Sequence, residues 1–166
     1  LAGIAVNKYK QFIVTDRYNH RVQVFDSSGR FVREFGSHGS TTGKFSSPWG
    51  IVVDGQGFIY VCDKDNHRIQ IFQADGNFVV RLWLGGVPRR TIQISPGYCC
   101  GRPGVHFGGG FGNNRIQVFY PDGRFYCAFG SWGAGDGQVK QVEGVAIMSD
   151  GHIVVTDREN HRVQIF

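Results

Sequence analysis

The chain has 166 residues, is 41% hydrophobic and 14% aromatic, and sets 18 Lys and Arg against 13 Asp and Glu, a net charge of +5. That is enough apolar material for a globular core and too much for a disordered chain. No apolar run approaches the ~18 residues of a membrane-spanning helix, and no basic segment followed by an apolar stretch reads as a leader.

Taken in chain order, the elements repeat. The segment Asp16-Arg17-Tyr18-Asn19-His20-Arg21-Val22-Gln23-Val24-Phe25 returns as Asp63-Lys64-Asp65-Asn66-His67-Arg68-Ile69-Gln70-Ile71-Phe72 and as Asp157-Arg158-Glu159-Asn160-His161-Arg162-Val163-Gln164-Ile165-Phe166. A weaker copy, Asn113 to Phe119, lies between the second and the last. Arg21, Arg68, Arg115 and Arg162 are each 47 residues apart, and Gly3, Gly50, Gly97 and Gly144 keep the same step. A fixed period of this length is the mark of a repeat architecture.

Within one period the residues read as β. Short β-branched and aromatic runs are separated by turn residues, with no helical periodicity longer than a turn. In the second copy the predicted strands are Gly50 to Val53, Phe58 to Cys62, Arg68 to Phe72 and Phe78 to Leu82. They are joined by Asp54-Gly55-Gln56-Gly57, by Lys64 to His67 and by Ala74-Asp75-Gly76-Asn77. Four strands per ~40–50 residues make a β-propeller blade. A β-sandwich has similar strand spacing but gives no reason for one sequence to recur at a fixed step.

The expected fold is therefore an all-β propeller of four-stranded antiparallel blades, at about 1–48, 49–95, 96–142 and 143–166. The last blade is incomplete, which leaves an arc of about three and a half blades with apolar faces open at both ends. Gly29, Gly76 and Gly123 are expected in the hairpin between the last two strands of each blade. The third blade is expected to be irregular, because Gly101 to Gly112 is poor in strand formers and places Gly110, Phe111 and Asn114 where the other copies have Asp, a cation and His. The start at Leu1 reads as a piece of a longer protein. Cys62, Cys99, Cys100 and Cys127 lack C-x-x-C spacing, so they are expected to be reduced thiols rather than a zinc site or a disulfide framework.

The run Asn-His-Arg-[Val/Ile]-Gln-[Val/Ile]-Phe, with Asp before it and a Gly hairpin and Phe35-Gly36 or Phe129-Gly130 after it, resembles the NHL repeat. Among proteins carrying that repeat, the chain is most similar to the C-terminal propellers of the TRIM-NHL (tripartite-motif) family. The resemblance implies usually six blades, a cytoplasmic location, and RNA, expected in messenger 3′ untranslated regions, held on one electropositive face so that the bound message is repressed. DNA, a membrane and a cofactor are not expected. The module is expected to be non-catalytic, with any ubiquitin-ligase activity in a RING domain outside these residues. The RNA-contacting positions carried over by the resemblance are Arg17, Tyr18, Lys64 and Arg158, in the loops after the second strand, with Ser47 and Trp49 just before Gly50.

The motif Asp-x-x-Asn-His-Arg contains a carboxylate and an imidazole, yet its copies occupy equivalent places on different blades. Catalytic or metal groups must converge on one point. Asp16, Asn19, His20 and Arg21, Asp63, Asn66, His67 and Arg68, and Asp157, Asn160, His161 and Arg162 are therefore read as structural: Asp and Asn hold the turn, Arg pairs with Asp across the strands, and His caps the turn. Function is expected where the copies differ. An aromatic such as Tyr18 beside Arg17 can stack an unpaired base while the guanidinium meets phosphate; Trp49, by its residue type and place, reads rather as a packing residue between blades. Val87-Pro88-Arg89-Arg90 is the densest cationic spot in a connecting loop. Two further readings stay open: a platform presenting protein partners to a ubiquitin-ligase module elsewhere in the parent, and an NHL-repeat lyase with a metal in the central channel.

Overall fold

The computed structural model describes residues 2–83, 94–100, 106–110, 114–120, 125–148 and 150–166. Gly123 and the Val87 to Arg90 loop lie outside them, as do parts of the Gly101 to Gly112 run. The chain divides into two compact units, Leu1–Trp83 and Leu84–Phe166.

The first unit holds β1 (Ile4–Val6), β2 (Phe12–Asp16), β3 (Arg21–Phe25) and β4 (Phe31–Phe35), paired in that order as one sheet. A second sheet follows with β5 (Pro48–Val53), β6 (Ile59–Asp63), β7 (Arg68–Phe72) and β8 (Phe78–Trp83). All of these pairings are antiparallel, so each period of the first unit is one up-and-down sheet. The observed strands of the second copy begin or end within two residues of the expected ones. Gly29 and Gly76 stand in the last hairpins with φ of +82° and +91°, which an L side chain adopts only with strain.

Why the sheets pack where they do follows from the two-residue period of each strand. In β3, Val22 and Val24 are buried while Arg21, Gln23 and Phe25 are half-buried. Val22, Val24 and Ile13 of the first sheet meet Ile51, Ile59, Val61 and Phe72 of the second, with Phe45 of the connecting segment fully buried among them. Phe72 is the hub, its ring centroid 4.9 Å from Phe35, 5.5 Å from Phe45 and 5.8 Å from Phe78. The segment Ser37 to Phe45 can dock because Gly36 has φ +90° and no side chain; a Cβ there would run into the Phe45 ring.

The second unit holds β9 (Ile94–Cys100), β10 (His106–Gly110), β11 (Arg115–Phe119) and β12 (Phe125–Phe129) in one antiparallel sheet. A short parallel pair, β13 (Ser131–Trp132) with β14 (Gln138–Val139), leads to a three-stranded antiparallel sheet of β15 (Val142–Ile147), β16 (Ile153–Asp157) and β17 (Arg162–Ile165). Its core gathers Ile116 and Val118 with Val139, Val142, Val145 and Val155. Although glycine-rich, His106–Gly110 pairs residue for residue with Arg115–Phe119, and against β9 its register shifts between Gly108 and Gly110. Backbone ladder bonds need no side chain, so a run poor in strand formers still pairs when its neighbour is a good strand.

The helical content among the described residues is two three-residue 3-10 turns, Lys64–Asn66 and Arg158–Asn160. No helix among them is long and apolar enough to cross a membrane. Cys62 and Cys127 are free thiols, and burial pushes the Cys62 thiol up to about 12.

Candidate nucleic-acid interface

The repeated motif builds a turn that aims the next side chains. In the first copy Asp16 accepts from Asn19 at 2.8 Å, Arg21 Nε at 3.1 Å and Gln23 at 3.3 Å. Asp63 accepts likewise from Asn66 at 2.9 Å, Arg68 Nε at 2.7 Å and Gln70 at 3.1 Å, and Asp157 from Asn160, Arg162 and Gln164 at 2.8, 2.8 and 3.1 Å. The Asn19 hydrogen bond, aided by Arg21, holds the Asp16 carboxyl below the usual carboxylate range. Burial works to raise Asp157, but the Lys140 N–H, Asn160 and Arg162 outweigh it and leave this carboxyl lowered. Asp63 is pushed up instead by its burial beside β7, a strand buried along its whole length.

The motif also reaches beyond its own repeat, which the sequence reading did not anticipate. Arg68 donates to the carbonyls of Ser40 at 2.6 Å, Thr41 at 2.8 Å and Lys44 at 2.6 Å, all in the preceding connecting segment. Arg162 holds the carbonyls of Gly135 at 2.7 Å and Gln138 at 2.8 Å in the same way. His20, His67 and His161 sit at φ of +54°, +53° and +52°, and in each the backbone N–H closes the turn. At His20 the turn is closed by the backbone and not by the ring. The His20 ring goes to the next repeat, where Nδ1 accepts the Ser47 N–H at 3.1 Å, and Asn114 does the same for Gln141 at 3.0 Å. Asn tolerates the left-handed region and offers a comparable acceptor, which explains why the third copy can dispense with His.

The turn projects the variable residues into one cluster in the first unit. The Arg17 guanidinium lies 4.3 Å from the Trp49 ring centroid and 5.2 Å from that of Tyr18, and the Lys64 ammonium lies 4.7 Å from the same Trp49 ring. Two cations from successive repeats thus share one indole. Trp49 is anchored from behind, since its carbonyl accepts the Thr15 hydroxyl at 2.6 Å. Tyr18 is 79% exposed. Among the described residues neither Arg17 nor Lys64 meets a carboxylate, and Arg17 Nε is buried without a hydrogen-bond partner. Ser47, at φ +53°, gives its hydroxyl to Asp65.

Arg158, in the equivalent loop of the second unit, has a different neighbour. Its guanidinium pairs with Glu143 at 3.1 Å, both side chains about half exposed. Glu143 stands 94 residues, two periods, after Trp49. Aligning the residue before each first-strand glycine would have revealed that exchange. A further pair not foreseen is Lys140 over the exposed Trp132, at 4.9 Å. Among the described residues no three His, Cys, Asp or Glu side chains gather as a metal site would require.

The NHL repeat model matches residues 1–25, 45–72 and 140–166, and so takes in the first, second and fourth copies. The chain is 46% identical over 41 residues to the B-box type zinc finger protein ncl-1 of Caenorhabditis elegans, and 40% identical over 52 residues to Protein brain tumor of Drosophila melanogaster, both TRIM-NHL proteins. These matches cover 25% and 31% of the chain and 5% of either relative. In fold it is similar to a streptogramin B lyase, TM-score 0.78 at 17% identity, over 99% of this chain and 53% of that one. The nidogen/laminin complex gives a TM-score of 0.76 at 18% identity, covering 99% of this chain and 59% of the other. The chain carries NHL repeats, similar to those of TRIM-NHL proteins, and its fold is β-propeller-like, with several four-stranded antiparallel sheets.

Proposed function

We propose that the chain is a non-catalytic RNA-binding module of a cytoplasmic post-transcriptional regulator, taking single-stranded or looped RNA on the loops after the second strand of the first and second repeats. The observation that carries this reading is the cluster of Arg17, Lys64, Trp49 and Tyr18: two cations without carboxylate partners beside an exposed aromatic ring. Phosphates meet the cations and displace counterions, while a splayed base stacks on Tyr18. Such stacking is worth about 1–3 kcal/mol per base. The net charge of +5 adds a favourable long-range field. Messenger 3′ untranslated regions are the expected source of the RNA.

The test is fluorescence anisotropy of a labelled single-stranded RNA titrated with the protein. Tyr18→Ala is expected to weaken binding several-fold with the salt slope nearly unchanged, and Arg30→Ala, in a hairpin on the other side of the motif strand, to leave it at the wild-type value. The alternative is a platform for protein partners of a ubiquitin-ligase module, and it is favoured by the exposed aromatic side chains Phe125, Tyr126 and Trp132 of the second unit. Binding to RNA that is weak and indifferent to Tyr18→Ala would move the proposal to that platform.

A further inference from the structure

Both units fasten the turn after the second strand to the segment before the first strand. In the first unit Asp65 donates its N–H to the Ser46 carbonyl at 3.0 Å, and in the second Glu159 donates to the Lys140 carbonyl at 3.2 Å. Lys140 stands two periods after Ser46, and Trp132 two periods after His38. His38 rests on the His20 ring, with centroids 4.3 Å apart. The third copy has Asn114 in place of that histidine, so no motif imidazole meets Trp132, and the Lys140 ammonium lies 4.9 Å from its ring centroid instead. Trp132 is 69% exposed. Its exposure does not come from the ends of the chain, because His38 at the same position is exposed between two complete four-stranded sheets. The backbone beneath the indole is held: Trp132 pairs with the fully buried Val139, and Asn160 donates to the Gly133 carbonyl at 2.9 Å. Among the described residues Lys140 has no carboxylate partner.

We propose that Trp132 and Lys140 form a nucleotide site of the second unit, where an unpaired base stacks on the indole while the ammonium meets its phosphate. The site rests on the RNA-binding reading and adds to it a contact outside the loops after the second strand. In this unit Glu143 holds the Arg158 guanidinium, so the cation available to phosphate is Lys140. An open indole beside a cation without a carboxylate suits a nucleotide, which offers an aromatic face and a negative charge in one unit. An apolar protein segment would use the ring and leave the ammonium unmatched.

The test pairs anisotropy titrations of a labelled single-stranded RNA with crosslinking. Trp132→Ala is expected to weaken binding roughly 5- to 100-fold with the salt slope unchanged, the loss that one stacked base implies. Trp132→Phe is expected to recover most of it. Lys140→Gln is expected to make the slope of log affinity against log salt shallower by about 0.7. With thiouridine-substituted RNA, ultraviolet light is expected to attach a nucleotide to the peptide that carries Trp132. Trp132→Ala and Lys140→Gln variants that bind as wild type, while Tyr18→Ala weakens binding, would overturn this site and leave that of the first unit standing; Trp132 would then belong to a surface for protein partners. A Trp132→Phe variant as weak as Trp132→Ala would contradict stacking. A wild type that binds no RNA would overturn this site and the RNA-binding reading together.

Discussion

The loops after the second strand of the first, second and fourth repeats share one hydrogen-bonded frame and present different chemistry. In the first unit Arg17 and Lys64 lie on the Trp49 ring; in the second, Arg158 is tied to the Glu143 carboxylate. The Asp, Asn, His and Arg frame is the same in each. What differs is one residue before a first-strand glycine, two periods apart. An indole leaves a cation's charge available to a phosphate, and a carboxylate neutralises it. The same lesson holds for the motif arginines. Arg68 is fully buried because the Ser37 to Phe45 segment covers it, whereas Arg21 is 32% exposed and turns to Glu34 at 2.7 Å. In a repeat of fixed period, the motif makes the frame and the residues packed around it decide what each copy does.

The largest expected effect breaks the arginine comparison. Arg68→Ala strips a buried carboxylate and three carbonyls of their donor, and removing one partner of a buried pair costs about 3–5 kcal/mol. Arg21→Ala removes a partly exposed pair worth about 0–1 kcal/mol. Urea unfolding of the two variants is expected to separate them widely, and equal losses would show that the connecting segment does not matter. Next in size is Phe45→Ala, which empties the centre of the first unit and is expected to lower stability by about 3–5 kcal/mol.

A smaller effect sharpens the loop comparison. Glu143→Gln frees Arg158 from its ion pair, and is expected to tighten RNA binding slightly and steepen its salt slope by up to about 0.7. An unchanged slope would mean that Arg158 does not reach the RNA even when unpaired. The smallest effect is on pH. Asp16 and Asp157 are both held below the usual carboxylate value, so they contribute stability above about pH 4 that is lost as pH falls through their lowered values. Asp157→Asn is expected to flatten the acid side of a stability profile measured by thermal unfolding between pH 2 and 6, and an unaltered profile would contradict the lowered Asp157.

The fold was legible in the sequence because the period is long, regular and copied nearly intact at 16–25, 63–72 and 157–166. Strand positions followed from alternation and turn residues, as in Arg68–Phe72, where expectation and structure coincide. Contacts between repeats were less legible. Nothing within one copy says that Arg68 will hold Ser40, Thr41 and Lys44, or that His20 will accept from Ser47, since these bonds join residues 24–28 apart across a junction. The candidate site was half legible: its cations were found in the variable loop, but Trp49 read as packing and the Glu143 partner of Arg158 went unnoticed. Both partners stand outside the repeated motif, Trp49 reaching Arg17 from the next repeat and Glu143 preceding the first-strand glycine of Arg158's own repeat, so a motif considered by itself leaves them out.

The central claim is that the first unit's cations are available to phosphate and that Arg158 is not. It is tested most directly by measuring RNA affinity against salt concentration for the wild type, Arg17→Ala with Lys64→Ala, and Arg158→Ala. The double variant is expected to bind more weakly, with a slope of log affinity against log salt shallower by about 1.4, at about 0.7 per lost phosphate contact on a single strand. Arg158→Ala is expected to run parallel to the wild type. A double variant with wild-type affinity and slope, or an Arg158→Ala slope that falls as much as the double variant's, would contradict the account.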